Sequence, residues 1–131
     1  YSLRASGRPG EAIAHDGAVY ALLVVSGTPP RLFSASADCL IKAWDLRTMS
    51  QIASLVGHQS FVCALQESNG CLLSASCDKT LGVWCLTTYE KLRVLNGHKG
   101  GLYSLTVHMG RACSGSLDET IRVWTEQRKE Q

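Results

Sequence analysis

The chain has 131 residues, of which 45% are hydrophobic and 18% are charged, and its formal net charge is +2. This length suits one ordinary domain, and so few charges argue against extended disorder. The lysines and arginines are scattered rather than clustered, which argues against the basic stripe of a nucleic-acid-binding surface. No apolar run is long enough to span a membrane and no signal peptide is visible, so we expect no membrane contact.

Short β-favourable segments separated by turn residues follow one another through the chain. In order, they cover residues 11–14, 18–25, 31–36, 40–45, 51–56, 61–66, 71–76, 80–85, 91–96, 101–108, 111–116 and 120–125. Short strands at regular spacing, with no helical period between them, predict an all-β fold. The polar residues 126–131 are expected to be a frayed tail.

Three stretches of the chain share one pattern, with equivalent residues 40 positions apart: RLFSASADCLIKAW at 31–44, CLLSASCDKTLGVW at 71–84 and RACSGSLDETIRVW at 111–124. Each contains a Ser-x-Ser pair, an Asp and a Trp in register. His58 and His98 each follow a glycine and precede the Asp of their stretch by 20 residues, whereas His15 follows Ala14 and precedes its Asp by 23. A period of this length predicts a repeat architecture.

The order Gly-His, Ser-x-Ser, Asp and Trp closely resembles the WD-repeat (tryptophan–aspartate) β-propeller family. The resemblance implies three blades, preceded by the end of the third strand and the outer strand of another blade, within a larger propeller of about seven blades. The remaining blades would come from the same polypeptide or, less favoured, from a partner chain, so residues 1–131 alone are expected to be insoluble or oligomeric. The expected units are 1–14 (end of the preceding blade), 15–56, 57–96 and 97–125 (three repeats, the last without its outer strand) and 126–131 (tail).

Within each repeat the resemblance implies a hydrogen-bonded tetrad of His, Ser, Asp and Trp. The matching positions are His15, Ser34, Asp38 and Trp44; His58, Ser74, Asp78 and Trp84; and His98, Ser114, Asp118 and Trp124. The second serine of each pair could replace the first, which gives the alternatives Ser36, Ser76 and Ser116. In the third strand of the second repeat, Gly82 is expected to weaken that strand or to mark a close approach.

A Ser-His-Asp hydrolase is the competing interpretation of these residues. It is disfavoured because the set occurs three times within strand–turn–strand segments and no G-x-S-x-G elbow is present. We therefore expect no catalytic residues and no enzymatic activity in this chain.

The resemblance also implies that partners bind on the face that carries the His and Asp turns. The expected exposed positions are the third and fifth residues after each His and the residue before each Asp: Ala18, Tyr20, Ala37, Phe61, Cys63, Cys77, Gly101, Tyr103 and Leu117. Aromatic side chains there suit a peptide or protein partner. We expect a non-catalytic interaction scaffold; the alternatives are a recruiting or regulatory domain of a larger ubiquitin ligase or kinase polypeptide and an RNA-processing or ribosome-associated scaffold.

Six cysteines are present, at positions 39, 63, 71, 77, 85 and 113, without a C-x-x-C pair or a zinc-ligand spacing. Cys63, Cys71 and Cys113 lie within predicted strands and are expected to act as small buried hydrophobes, and the thiols are expected to be inert. We therefore expect no metal and no cofactor. Unpaired thiols suit a reducing compartment, so we expect an intracellular protein, cytoplasmic or nuclear.

Overall fold

The computed structural model describes residues 14–125, and every regular element in this range is a β-strand. No helix among these residues is long and apolar enough to cross a membrane. The strands are β1 (Val19–Val25), β2 (Arg31–Ser36), β3 (Ile41–Asp45), β4 (Gln51–Leu55), β5 (Val62–Ser68), β6 (Cys71–Ser76), β7 (Leu81–Cys85), β8 (Lys91–Leu95), β9 (Leu102–His108), β10 (Arg111–Ser116) and β11 (Ile121–Thr125). The end of a preceding blade expected at 1–14 lies outside the described residues except for Ala14, and the tail at 126–131 lies wholly outside them.

The strands form three antiparallel sheets, each built from consecutive strands. Blade one is β1–β4 and blade two is β5–β8, while the described part of blade three is β9–β11. The predicted all-β class with four-stranded propeller blades is confirmed. Each predicted strand from residue 18 onward matches an observed strand to within two residues at either end.

The blades stack through their first strands, because β1 contacts β5 and β5 contacts β9. Phe33, Ile41 and Val62 belong to a fully buried core between blades one and two, and Leu81 and Leu102 to a second core between blades two and three. Strands β5–β7 of blade two are thus largely covered on both faces, as their weak alternation predicts, whereas the outer strand β8 is mostly exposed. The outward faces of the end blades are open: Leu22 in blade one is 64% exposed and Ile121 in blade three is 76% exposed.

Neighbouring blades point in the same direction. At one end, Gly110 lies beside the side-chain amide of Asn69, which brings two hairpin turns together. At the other end, the rings of Tyr20 and Phe61 lie 6.0 Å apart, and Gly101 packs on the backbone of Cys77. The His turns (14–18, 57–61 and 97–101) and the Asp turns (37–39, 77–79 and 117–119) therefore share one end of the stack, which we call the turn face.

Candidate functional site

The four predicted tetrad residues of blade two form one continuous hydrogen-bonded set. Nδ1 of His58 lies 2.8 Å from Asp78 Oδ2 and its Nε2 lies 2.6 Å from Ser74 Oγ, while Trp84 Nε1 donates to the same Oγ at 2.9 Å. A carboxylate only accepts hydrogen bonds, so the proton of neutral His58 resides on Nδ1, and Nε2 accepts from the Ser74 hydroxyl. Each group donates a hydrogen bond to the next, from the indole to the hydroxyl, from the hydroxyl to the imidazole and from the imidazole to the carboxylate.

Blades one and three contain the same set with nearly the same dimensions. In both, the histidine Nδ1 lies 2.9 Å from the aspartate Oδ2. The histidine Nε2 lies 2.7 and 2.8 Å from the serine Oγ, to which the indole donates at 2.9 and 2.8 Å. These contacts join His15, Ser34, Asp38 and Trp44 in blade one and His98, Ser114, Asp118 and Trp124 in blade three.

The second serine of each pair has a different task. The Oγ atoms of Ser36, Ser76 and Ser116 each accept from the backbone N–H of the aspartate two residues later, at 3.1 Å. Ser76 also donates to the Phe61 carbonyl at 2.9 Å. All three serines therefore hold the Asp turn in place, and Ser76 and Ser116 also join it to the preceding His turn, Ser116 by donating to the Gly100 carbonyl at 3.0 Å.

Two members of the network were missed by the sequence analysis. Thr80 and Thr120 donate through Oγ1 to Oδ1 of the aspartate two residues earlier, at 2.5 Å, and their backbone N–H groups reach the same oxygen at 2.9 Å. Blade one has Leu40 at this position, which supplies only the N–H. The signal was the recurrence of Thr two residues after Asp in two repeats.

The surroundings of the tetrad aspartates keep them ionised. Burial acts to raise the pKa of Asp78, but hydrogen bonds from the Thr80 hydroxyl, from His58 and from the Gln59 N–H outweigh it, so the pKa is lowered. The same balance of burial against hydrogen bonds lowers the pKa of Asp38. The hydroxyl of Thr120 is the largest contribution to the lowered pKa of Asp118.

The tetrads resemble a hydrolytic triad in composition but not in access. A nucleophilic hydroxyl must reach a substrate atom, yet Ser74 has no exposed surface and its oxygen already accepts from an indole. Ser34 and Ser114 are equally enclosed, at 2% and 0% exposure. Among residues 14–125, every buried side-chain nitrogen and oxygen has a hydrogen-bond partner. A satisfied buried network of this kind favours a rigidifying, structural role.

Gly82 makes the close approach that was one of its two expected roles. A Cβ at this position would lie 2.6 Å from Ser74 Oγ, 2.8 Å from Trp84 Nε1 and 3.0 Å from His58 Nε2. The equivalent positions in blades one and three carry Lys42 and Arg122. In blade two the tetrad therefore packs directly against a position without a side chain.

The expected partner-binding positions differ in accessibility. Ala18, Tyr20, Phe61, Tyr103 and Leu117 are exposed, whereas Ala37, Cys63 and Cys77 are half-buried. The expected exposure of Gly101 is wrong: this residue is buried, because its Cα packs on the Cys77 backbone so closely that a Cβ would lie 2.9 Å from the Cys77 Cα.

A β-bulge near the start of the first strand of each blade sets three of these positions apart. The antiparallel pairing skips Tyr20 in β1, Cys63 in β5 and Tyr103 in β9, where two residues face one on the neighbouring strand. A bulged residue is unpaired and its strand twists more strongly, which redirects the side chain.

The side chains at and around the bulges form a continuous surface across three blades. The Tyr20 and Phe61 rings are neighbours, and the Cys63 and Cys77 sulfurs lie 3.3 Å apart. A hydrogen bond with the Cys77 thiol raises the pKa of the Tyr103 phenol. We call Tyr20, Phe61, Cys63, Cys77 and Tyr103 the cross-blade strip.

The cysteines are less enclosed than expected. All six are half-buried, so the expected burial of the strand thiols is wrong. Within residues 14–125, no group of three or more His, Cys, Asp or Glu side chains is arranged to hold a metal ion.

Comparison with known sequences and structures gives a consistent picture. The sequence model of the family described as WD domain, G-beta repeat, matches residues 9–45, 49–85 and 89–125. The WD40 β-propeller domain of Doa1 superimposes with a TM-score of 0.82 at 27% identity, over 89% of this chain and 40% of that one. The computationally designed Ika8 protein superimposes with a TM-score of 0.75 at 35% identity, over 85% of this chain and 34% of the Ika8 chain. No curated protein sequence matches this chain.

Proposed function

Because the chain belongs to the WD40-repeat family, whose propellers generally mediate protein–protein interaction, we propose that it is a non-catalytic scaffold that binds a peptide or protein loop at the cross-blade strip. The chain spans 34–40% of the length of the two solved structures named above. We propose that further blades cover the open apolar faces of blades one and three, since faces of this kind are costly to leave in water.

The observation that carries this proposal is the exposure of three aromatic rings along one surface. Tyr20, Phe61 and Tyr103 are 51%, 46% and 51% exposed. Tyrosine and phenylalanine supply large contact areas with little loss of side-chain freedom, and Tyr is enriched among residues that dominate binding energy. The strip contains no charged residue. It therefore suits a partner segment with apolar or aromatic side chains.

The test is a selection of displayed peptides against the full-length protein, followed by affinity measurement with single variants. Phe61→Ala and Tyr103→Ala should each weaken the selected peptides at least about tenfold, since truncating a binding anchor commonly costs more than 1 kcal/mol. Met109→Ala is the matched control, because Met109 is 87% exposed at the opposite end of the stack. Peptides that tolerate both aromatic substitutions but lose affinity with Met109→Ala would contradict the proposed surface.

A further inference from the structure

Two thiols meet in the middle of the cross-blade strip. Cys63 occupies the bulge of β5 and Cys77 lies in the Asp turn that follows β6, so the chain separates them by 14 residues. Their sulfurs are 3.3 Å apart, and both side chains are half-buried rather than enclosed. A disulfide bond requires about 2.05 Å, so a movement of little more than 1 Å would join them.

We propose that Cys63 and Cys77 form a redox-reactive dithiol that low-molecular-weight disulfides, such as glutathione disulfide, convert into an intrachain disulfide on the turn face. This modification site does not depend on the proposed binding function. Partial exposure gives a small reagent access, and contact between the two sulfurs places a resolving thiol beside any mixed disulfide that forms.

The two sulfurs have different tasks in this exchange. Burial, followed by the contact with Cys77, raises the pKa of Cys63 to about 12, so Cys63 retains its proton at neutral pH. Cys77 is then the attacking sulfur: it releases its proton to water, bonds to one sulfur of glutathione disulfide and expels one glutathione thiolate. Cys63 attacks Sγ of Cys77, passes its proton to the departing second glutathione and closes the ring. The two cysteines lose two electrons and two protons, and glutathione disulfide is reduced to two glutathione molecules.

The chain contains a competing pair for comparison. Cys71 and Cys85 face each other across β6 and β7. Hydrogen bonds from the Thr88 hydroxyl and backbone lower the pKa of Cys85 to about 7, so its thiolate is plentiful at neutral pH. Glutathione disulfide should therefore modify Cys85 as well. The proposal requires the internal cross-link to form between Cys63 and Cys77.

The experiment equilibrates the folded, reduced full-length protein with mixtures of glutathione and glutathione disulfide, quenches in acid, alkylates the free thiols and maps the peptides by mass spectrometry. Trypsin alone leaves Cys63, Cys71 and Cys77 on one peptide, residues 48–79, so chymotrypsin is added to cleave beside Leu65 and Leu72. We expect a reducible link between the Cys63 and Cys77 peptides, with the loss of two hydrogen atoms.

Single variants assign the roles of the two sulfurs. Cys63→Ser should accumulate glutathione on Cys77, because the resolving thiol is absent, whereas Cys77→Ser should leave Cys63 as a free thiol. Cys113→Ser is the matched control and should form the link as the unaltered protein does, and circular dichroism should show that all three variants fold. The proposal is overturned if Cys77 stays fully alkylatable at every ratio, if the only internal link joins Cys71 to Cys85, or if the Cys63–Cys77 link appears only after denaturation.

Discussion

Removal of one hydroxyl should reveal how much the buried network of blade two contributes to stability. Ser74 has no exposed surface, and its Oγ is the acceptor for the Trp84 indole and the donor to His58. In Ser74→Ala both partners lose their hydrogen bond in a buried site. An orphaned buried polar group costs about 1–3 kcal/mol, so two should lower the free energy of unfolding by about 2–6 kcal/mol. Domains are commonly stable by only about 5–15 kcal/mol.

The assay is urea unfolding followed by circular dichroism, with a double-mutant cycle to isolate the indole–hydroxyl pair. Trp84→Phe removes the indole N–H, so the double variant with Ser74→Ala no longer contains that orphaned donor. The double variant should lose less free energy of unfolding than the two single variants together, by about 1–2 kcal/mol. Trp84→Ala should cost about 3–5 kcal/mol because it also opens a cavity in the core. Ser54→Ala, at an exposed position of β4, is the control and should change little.

Either of two results would refute this reasoning. If Ser74→Ala and Ser54→Ala were equally mild, the buried hydroxyl would not be an essential partner of the indole and the imidazole. If the effects of Ser74→Ala and Trp84→Phe on the free energy of unfolding were strictly additive, the hydrogen bond between indole and hydroxyl would contribute no coupling energy. The dependence of stability on urea concentration should keep its slope, because a changed slope indicates a changed unfolded state or a loss of two-state behaviour.

Three further predictions concern turns, packing and acid. Gly82→Ala should destabilise by about 1–3 kcal/mol in thermal or urea melts, because its Cβ would meet atoms of three tetrad members, whereas Gly115→Ala should be close to neutral, since its Cβ would meet only a rotatable serine hydroxyl. Met109 has a φ of 49° in a two-residue hairpin turn, a conformation that asparagine tolerates better than methionine. Met109→Asn, which copies Asn69 of blade two, should therefore stabilise the turn by about 0.5–1 kcal/mol and raise the melting temperature. An unchanged melting temperature would mean that the turn is unstrained. Folding lowers the pKa of the tetrad carboxylates below 3.8, so the unfolded state binds more protons in acid. The stability that these carboxylates contribute should be complete above about pH 5 and should fall as the pH drops further. Asp118→Asn should make that acid loss smaller, and an unchanged pH profile would contradict the assigned role of its carboxylate.

The sequence predicted the strands and tetrads well because both follow from local and repeated information. Short β-favourable runs between turn residues mark each strand, and the 40-residue register places His, Ser, Asp and Trp in corresponding sites. The resemblance favoured Ser34 but left Ser36 open, since both serines lie on the same face of β2. The structure places Ser34 in the tetrad. The involvement of Thr80 was within reach, because Thr recurs two residues after the aspartate of the next repeat.

The misses concern contacts between segments that the repeat does not encode. Gly101 occupies a position that the register marks as exposed, but its burial depends on the Asp turn of the neighbouring blade. The contact between Cys63 and Cys77 depends on the bulge in β5, and no residue of that strand predicts a bulge. A repeat pattern fixes the equivalence of positions, whereas the packing of one unit on the next depends on the particular side chains of both.

The bulges in the first strands of the blades, β1, β5 and β9, separate two properties that a β-strand residue ordinarily combines. An ordinary residue both maintains the ladder and presents its side chain, so a change of surface chemistry risks the pairing. Tyr20, Cys63 and Tyr103 have no partner residue on the adjacent strand, so each can be exchanged while the pairs beside it persist. Each blade therefore contributes to the turn face one position whose side chain can change independently of the strand pairing. The number of different surfaces that the same scaffold can present thus multiplies with each added blade.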